Sequence, residues 1–335
     1  MKSPVSISVI VPVFNGGTMI SRCLEALSAS DYPADEIIVV DDGSTDNSAE
    51  TSRQKGATVL QMPQQSGPAA ARNFGSQRAR GDILLFVDAD VVVHRDSIAR
   101  VAASFENNPG LAAVFGSYDD EPAEKNFLSQ YKNMFHHFVH QQSSAEAETF
   151  WAGCGAIDRR IFAALGGFDS IRYRRPSIED IELGYRMRKL GYRILLDKGL
   201  QGKHLKQWRL GSLLRADILC RAVPWTRLIL ESEQQVNDLN LKSSDRISAV
   251  LAGLMVASLL ASLFNTKFLY LAAVLAPTII LLNLEFYRFF LRGKGLLFVS
   301  RTYFMHVFYY LYSTATFAVC FVQHLIVGNE LRRIR

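Results

Sequence analysis

Two pairs of closely spaced carboxylates have the residue types and spacing that catalysis can use. The first pair, Asp88 and Asp90, closes the apolar run LLFVDAD at residues 84–90. Carboxylates at positions i and i+2 of a turn can both face a hard divalent cation, which prefers oxygen ligands and is typically shared with substrate phosphates. Such a turn is more often only solvated. Its place after an apolar run that is typical of a buried strand makes it informative.

The second pair, Glu179 and Asp180, opens the segment EDIELGYRMRKLG. Two acidic residues in this position are typical of a helix N-terminus, where the helix dipole favours negative charge. A carboxylate within hydrogen-bond reach of a hydroxyl can also remove its proton during nucleophilic attack. The pair by itself does not distinguish these two roles.

The elements that must position these carboxylates alternate between strand and helix patterns. Short apolar runs at residues 6–14, 35–42, 57–62 and 82–90 are separated by segments with helical spacing of apolar residues. This alternation predicts a parallel sheet that is covered by helices on both faces. Ligands of such sheets bind beyond the carboxyl ends of the strands. Because three of these strands end in polar clusters, we expect the clusters to converge at one edge.

Two of the neighbouring clusters carry further candidates. Asp41 and Asp42, in VVDDGSTD, could accept hydrogen bonds from a nucleobase or a ribose, or they could form a turn before a helix that Asp46 caps. Arg72, in GPAAARNFG, lies in the first turns of a predicted helix and could face an anionic phosphate. A surface salt bridge is the alternative role for Arg72.

Five segments, in this order along the chain, resemble glycosyltransferase family 2. They are SVIVPVFNGG, IIVVDDGSTD, GPAAARNFGSQRARGDILLFVDAD, GGFD and EDIELGYRMRKLGYRI, and they lie within residues 6–200. The resemblance implies an inverting enzyme with the GT-A fold, an α/β fold in which a mixed, Rossmann-like sheet is flanked by helices. It also implies a nucleotide-sugar donor and a divalent cation, Mg²⁺ or Mn²⁺.

The resemblance assigns roles to individual residues. The residues implied to bind the nucleotide-sugar are Pro12, Phe14, Asn15, Asp41, Asp42, Arg72, Asp88 and Gly153. Asp88 and Asp90 match the family's Asp-x-Asp, with Asp90 as the more direct cation ligand. His204 resembles a histidine that some relatives use near the metal or the diphosphate. Asp180, in the pair with Glu179, matches the catalytic base.

One family feature is missing. Processive members, such as polysaccharide synthases, carry Gln-x-x-Arg-Trp after the base, whereas the corresponding region here is KHLKQWRLG. This departure argues against a polymer-extruding synthase.

The rest of the chain is rich in apolar residues. Charged residues become rare after Arg246, and apolar segments follow at residues 247–264, 268–284 and 302–327. The first would be about 27 Å long as a helix, close to the ~30 Å thickness of a bilayer's hydrocarbon core. We therefore expect a glycosyltransferase domain at residues 1–202, interfacial helices broken near Pro224 at 203–245, and a transmembrane region of about three helices at 246–330.

The N-terminus and the charge distribution indicate where the chain resides. Pro12 and Asn15 interrupt the apolar core that a signal peptide needs, so we expect a cytoplasmic N-terminal domain anchored in the inner or plasma membrane. The net charge is +5, and basic residues cluster between Arg172 and Arg246 and around the apolar segments. This placement favours anionic membrane lipids over nucleic acid as partners.

The charges give two conflicting indications of the membrane orientation. A cytoplasmic N-terminal domain places the basic loop at residues 288–301 inside, as the positive-inside rule requires. Three full crossings would then put the basic tail ELRRIR outside, against the same rule. Either the third segment does not fully cross, or the loop charges outweigh the tail.

Together these features predict a membrane-anchored, inverting glycosyltransferase of cell-envelope polysaccharide or glycolipid biosynthesis. It would transfer a sugar to a hydroxyl of a lipid-linked, glycan or membrane-proximal acceptor. A polyprenyl-phosphate glycosyltransferase is one alternative, because a phosphate acceptor is already anionic and needs no base. A non-catalytic membrane scaffold that binds nucleotide-sugars is the other.

Overall fold

The computed structural model describes residues 5–231 and 243–333, with side chains as far as residue 326. The chain forms two compact units, Met1–Trp208 and Arg209–Arg335. Part of the expected interfacial region, residues 232–242, lies outside the described residues.

The first unit is built on an eight-stranded sheet with the order β3-β2-β1-β4-β7-β6-β8-β5. The strands are β1 (Ile7–Val13), β2 (Glu36–Asp41), β3 (Thr58–Gln61), β4 (Ile83–Val87), β5 (Val91–Val93), β6 (Leu111–Tyr118), β7 (Cys154–Asp158) and β8 (Arg193–His204). β2 and β4 both pair with β1 in parallel, and β3 pairs with β2 in parallel. The carboxyl ends of these four strands therefore point the same way.

β7 makes the sheet mixed, because it runs antiparallel to both β4 and β6. β6 and β8 are parallel, and the short β5 is antiparallel to β8. The mixed, helix-flanked α/β sheet implied by the resemblance is confirmed. The parallel pairing that the strand–helix alternation predicted for the first four strands is confirmed for β1 to β4, and the sheet becomes mixed because β7, from a glycine-rich segment, inserts between β4 and β6.

Helices cover both faces of this sheet. They are α1 (Gly17–Ser28), α2 (Ser48–Gln54), α3 (Pro68–Ser76), α4 (Ser97–Asn107), α5 (Phe127–Gln142), α6 (Arg159–Ala164) and α7 (Glu179–Lys189). Successive residues of β1 alternate between two apolar cores, because side chains of a strand point to opposite faces. Val9 packs with Ile20 of α1, whereas Ile10 is in the core that contains Ala71 of α3 and Leu183 of α7. The helices that carry Arg72 and the Glu179–Asp180 pair therefore share one face of the sheet.

The second unit is helical. It contains α8 (Leu210–Leu214), a π-helix (Arg215–Ala222), α9 (Val223–Glu231), α10 (Ser243–Ala261), α11 (Phe268–Leu282), α12 (Leu284–Lys294) and α13 (Leu296–Arg333). The interfacial helices broken near Pro224 stay a prediction. α8, the π-helix and α9 follow one another directly, and the chain changes from π-helix to α-helix one residue before Pro224.

Two helices, α10 and residues 296–326 of α13, are long and apolar enough to cross a membrane by length and composition. α11 has 15 residues, about 22 Å of helix, which is shorter than the ~30 Å hydrocarbon core. α11 and α12 are bent by 76° at a break between them and count as a third candidate only if they form one broken span. The sequence predicted about three such helices, and the described residues contain two, or three with the bent pair.

Asn283 lies at the break between α11 and α12 and is buried. Its Nδ2 donates to Ser248 Oγ at 2.9 Å, and its Oδ1 accepts from the hydroxyl of Tyr310 at 2.9 Å. Because a buried amide is costly unless it is hydrogen-bonded, these contacts tie the bend to α10 and α13.

Candidate active site

The polar clusters after β1, β2 and β4 lie at one edge of the sheet. β1 is the central neighbour of the other two strands, and Val13 at its end is paired with Asp41 at the end of β2. Asn15 connects the cluster after β1 to the cluster after β2, since its Oδ1 accepts a hydrogen bond from the Thr45 N–H at 2.8 Å. The third cluster is held by Asp88, whose N–H donates to the Gly153 carbonyl at 3.1 Å.

Arg72 connects the two acidic pairs. Its Nη2 donates to Asp88 Oδ1 at 2.6 Å and its Nη1 donates to Glu179 Oε1 at 2.9 Å. The Arg72 side chain is 6% exposed, and its guanidinium lies over the Phe168 ring, 5.6 Å from the centroid. Burial disfavours the charged form, but Asp88 and Glu179 outweigh it and raise the pKa of Arg72. The two acidic pairs are therefore within the reach of one side chain.

Asp180 is oriented by backbone groups. Its Oδ2 accepts from the Ala152 N–H at 3.0 Å and its Oδ1 accepts from the Ile181 N–H at 2.9 Å. Burial, followed by the neighbouring charge of Glu179, raises the pKa of Asp180 to about 6. A carboxylate with a raised pKa is a better proton acceptor than an ordinary aspartate, so Asp180 is suited to general-base chemistry.

Asp90 pairs with His204. Asp90 Oδ2 lies 3.3 Å from His204 Nε2, and the two side chains are 23% and 4% exposed. β5 follows Asp90 directly and pairs with β8 so that Val91 is opposite His204, which brings the histidine to the Asp-x-Asp turn. Burial opposes ionisation of Asp90, but His204 and Lys206 outweigh it and lower its pKa. For Asp88 burial dominates and raises the pKa, although Arg72 opposes it.

The donor atoms around this turn fit a cation that is shared with a substrate. Within the described ranges, no group of three or more histidine, cysteine, aspartate or glutamate side chains could hold a metal ion by itself. Mg²⁺ is commonly bound through one or two carboxylates, with phosphates and water completing its shell. Asp90 and His204 offer an oxygen and a nitrogen that converge, and Asp88 lies two residues before Asp90. This set suits a divalent cation that needs a diphosphate as a further ligand.

Asp41 and Asp42 are both buried and both support turns. Asp42 accepts from the Ser66 N–H at 2.7 Å and from the Gly67 N–H at 2.8 Å, which holds the chain that enters α3. Asp41 Oδ1 accepts from the Ser44 N–H at 3.0 Å. Both residues therefore form turns, as one of their two expected roles required. Their contact with a nucleotide stays a prediction.

Three other predicted donor-binding residues flank this edge. Pro12 is buried within β1, whereas Phe14, directly after the strand, is 43% exposed. Gly153 leaves room for the indole of Trp151, because a Cβ at this position would lie 2.3 Å from a ring carbon. Gly153 therefore shapes the wall next to Asp88, and its contact with a sugar stays a prediction.

Two residues that hold parts of this site in place were not found from the sequence. Asn73 holds the GGFD turn, since its Nδ2 donates to the Phe168 carbonyl at 2.8 Å and its Oδ1 accepts from the Phe168 N–H at 2.9 Å. Asn133 contacts His204 Nδ1 through its Oδ1 at 2.7 Å. Asn73 lies one residue after Arg72 in a quoted motif, which was an available signal. Asn133 had none, because it lies in a helix without a motif.

Residues 8–166 match the family model described as Glycosyl transferase family 2. This span includes the ends of β1, β2 and β4, with Asp88 and Asp90. The N-terminal unit belongs to glycosyltransferase family 2. The family 2 match ends before Glu179 and Asp180, which the structure brings to the same edge through Arg72.

Curated relatives of this family 2 domain are similar over part of their length. The chain is 32% identical over 126 residues to "Glycosyltransferase GlyG" of Streptococcus pneumoniae, which covers 36% of this chain and 42% of that protein. It is 38% identical over 120 residues to "Glycosyltransferase AglE" of Haloferax volcanii, covering 34% of this chain and 39% of that protein. The chain thus matches less than half the length of these relatives.

A solved structure extends the similarity of fold. A mannosyltransferase from Pyrobaculum calidifontis, in complex with GDP-Man and Mn²⁺, superposes with a TM-score of 0.59 at 20% sequence identity. The superposition covers 97% of this chain and 88% of that one. At this identity the similarity concerns the fold, and the fold of the family 2 domain is GT-A.

Proposed function

We propose that this protein is a metal-dependent, inverting glycosyltransferase that uses a nucleotide-sugar donor. The observation that carries the proposal is the Arg72 bridge, which links Asp88 of the Asp-x-Asp turn to Glu179 beside Asp180. A sugar transferase needs one group for the departing diphosphate and another for the incoming acceptor. Arg72 brings the candidates for these two roles together on one edge of the sheet.

The chemistry assigned to the chain's own residues is a proton transfer. Asp180 accepts the proton of the acceptor hydroxyl while the hydroxyl oxygen forms a bond to the anomeric carbon. The bond between that carbon and the diphosphate oxygen breaks on the opposite face, and the nucleoside diphosphate leaves with the electron pair. The Ala152 N–H keeps one carboxylate oxygen of Asp180 in place.

Asp90, His204 and Asp88 would hold Mg²⁺ or Mn²⁺. The bound cation supplies positive charge that stabilises the leaving diphosphate. Pro12, Phe14, Asn15, Asp41, Asp42 and Gly153 would line the remainder of the donor site. The solved mannosyltransferase with GDP-Man and Mn²⁺ supports this assignment through its similar fold.

We further propose that the helical unit anchors the enzyme in the inner or plasma membrane, with the catalytic domain in the cytoplasm. The apolar length of α10 and of residues 296–326 supports an anchor. A membrane anchor favours an acceptor hydroxyl on a lipid-linked or membrane-proximal molecule. Membrane lipids are then a further partner.

The test uses the full chain in detergent with a panel of nucleotide-sugars and Mn²⁺. Asp90→Ala should abolish the Mn²⁺-dependent stabilisation of the protein by the donor, because a ligand that binds the native state raises its stability. Asp180→Asn should keep donor binding and lower sugar transfer by about 10²-fold or more, the range typical for loss of a general base.

Glu106→Gln, on the exposed side of α4, is the matched control and should leave both properties unchanged. Donor binding without Mn²⁺, or unaltered in Asp90→Ala, would contradict the proposal. Donor binding by the wild-type chain with neither sugar transfer nor Mn²⁺-dependent donor hydrolysis across the panel would support the non-catalytic scaffold that binds nucleotide-sugars.

A phosphate acceptor is the second candidate, and one observation favours it. Arg174 and Arg175, on the segment before the Glu179–Asp180 pair, are exposed and make no ion pair within the described residues. Two uncompensated guanidinium groups next to an acceptor site suit an anionic acceptor. Near-full transfer by Asp180→Asn would favour this polyprenyl-phosphate type of reaction, because a phosphate oxygen needs no base.

A further inference from the structure

The face of α5 that packs on the sheet carries buried polar side chains where apolar ones are usual. Ser129 is buried, and its Oγ accepts from the Trp208 N–H at 2.7 Å; just before the helix, the exposed Asn126 donates from Nδ2 to the Trp208 carbonyl at 2.7 Å. Asn133, one helical turn further, contacts His204. Because buried polar groups are costly unless they are hydrogen-bonded, this row of α5 serves to hold the chain at and after the end of β8.

The contact of Asn133 with His204 fixes the imidazole ring. Asn133 Oδ1 lies 2.7 Å from His204 Nδ1, and the two residues are 1% and 4% exposed. The ring of Tyr118 stacks on the imidazole with centroids 4.2 Å apart and planes 11° apart. The stacking sets the plane of the ring, and the amide sets its rotation within that plane. The Nε2 atom then points at Asp90, 3.3 Å away.

A histidine binds a cation through the lone pair of one ring nitrogen, and its other nitrogen then carries the proton and needs an acceptor. Asn133 Oδ1 is placed to accept a hydrogen bond from the Nδ1–H group. We propose that Asn133 is a positioning residue that keeps the proton of His204 on Nδ1 and so presents the Nε2 lone pair to a divalent cation shared with Asp90. This inference rests on the proposed function, because it needs the cation.

The opposite amide orientation defines the competing arrangement. Oxygen and nitrogen of an asparagine amide are assigned from hydrogen bonding. In the reversed orientation, Asn133 would donate to Nδ1, and the Nε2–H group would donate to Asp90. Asp90 and His204 would then form a closed hydrogen-bonded pair, and His204 would have no lone pair for a cation. The two arrangements predict different surroundings for a bound metal.

The experiment measures Mn²⁺ bound to the full chain in detergent. Pulsed electron paramagnetic resonance detects a ¹⁴N nucleus that is bonded to Mn²⁺, so the wild type should show imidazole nitrogen modulation. Asn133→Leu removes the acceptor at similar size and should lose this modulation, with Mn²⁺ affinity falling about 10- to 100-fold, as is typical when a ligand's supporting hydrogen bond is removed. Asn133→Asp keeps an acceptor oxygen and should keep the modulation.

Ser129→Ala is the matched control. It removes a buried hydrogen bond from the same face of α5, but that bond goes to the backbone of Trp208 and not to His204. It should lower thermal stability to an extent comparable with Asn133→Leu while leaving Mn²⁺ affinity and the nitrogen modulation unchanged. If Asn133→Leu does not fold, Asn133→Ala replaces it, because it also removes the acceptor and adds no bulk.

Three results would overturn the inference. One is Mn²⁺ binding by the wild type without nitrogen modulation, which leaves the proposed function intact because carboxylates alone then hold the cation. Another is equal Mn²⁺ affinity in Asn133→Leu and Ser129→Ala. The third is a wild type that binds no Mn²⁺ even with a nucleotide-sugar present, and only this result also removes the cation from the proposed function.

Discussion

At the scale of single residues, Asp180 has a pKa that sets a testable limit on catalysis. Burial and the charge of Glu179 raise this pKa to about 6. A general base works only when it is ionised, so under the proposed function protonation of Asp180 below this pH removes the active form. We expect kcat/KM for transfer to fall about tenfold per pH unit as the pH decreases below 6. Just above pH 6, kcat/KM should not change with pH.

The pH profile of kcat/KM checks this expectation. Donor binding followed by thermal shift in the same buffers is the control, and it should change little across the same range. If the residual transfer of Asp180→Asn keeps the same acidic limb, the limb belongs to another group.

Arg72 is the cation that bridges the two acidic pairs, through Asp88 and Glu179. Replacing it by methionine keeps much of its length and leaves Glu179 buried at 6% exposure without a cation. Removing one partner of a buried ion pair lowers the free energy of unfolding by about 3–5 kcal/mol. Because Asp88 is 32% exposed and water partly screens it, we expect a loss of about 3 kcal/mol in the free energy of unfolding.

Denaturant unfolding of Arg72→Met, Glu179→Gln and the double variant measures this coupling. The double variant should be more stable than Arg72→Met, because the uncompensated carboxylate is gone. Additive losses would mean that the Arg72–Glu179 contact contributes nothing to stability.

At the scale of elements, the entry to α3 lies against the segment before Asp180. Gly67 has φ +92°, and a Cβ there would lie 2.3 Å from the Arg174 carbonyl oxygen. Gly56 has a similar φ of +82° with nothing within 4 Å of its Cβ position. Gly67→Ala therefore tests the close approach, and Gly56→Ala tests the positive φ alone.

We expect Gly56→Ala to lower stability by about 1–2 kcal/mol, the cost of a left-handed conformation with a Cβ, and to leave transfer unchanged. Gly67→Ala should lose more stability and also transfer activity, because the Arg174 backbone must move and Asp180 follows on the same segment. Thermal unfolding and transfer assays on both variants provide the comparison. Equal effects of the two substitutions would show that the contact with Arg174 is unimportant.

The sequence predicted those elements whose pattern is local. The runs at residues 6–14, 35–42 and 82–90 contain β1, β2 and β4, because strands buried on both faces need continuous apolar residues. β7 was missed, because CGAID has little apolar pattern and its place is set by pairing with β4 and β6. The sequence also did not distinguish between two roles for Arg72, a phosphate contact and a surface salt bridge. Its buried bridge involves partners 16 and 107 residues away, which no local pattern encodes.

At the scale of the whole molecule, the helical unit determines whether this is a membrane enzyme. α10 has 19 residues, about 28 Å of helix, which is enough to cross the ~30 Å hydrocarbon core. The basic side chains of α12, Arg288, Arg292 and Lys294, are exposed and follow the 76° bend. Basic residues after an apolar helix favour the cytoplasmic face of a membrane. The bent pair of α11 and α12, as one broken span, would then return the chain to the face from which α10 started.

Cysteine labelling of the full chain in sealed vesicles tests this topology within the helical unit. Lys267→Cys, between α10 and α11, and Gly295→Cys, between α12 and α13, should react with a membrane-impermeant maleimide from opposite faces. Of the four native cysteines, Cys220 is the one that is not buried, so a Cys220→Ser background removes the native site most able to react. Labelling of both positions from one face would mean that α10 and α11 do not cross as a pair. The predicted orientation of the helical unit would then have to be abandoned.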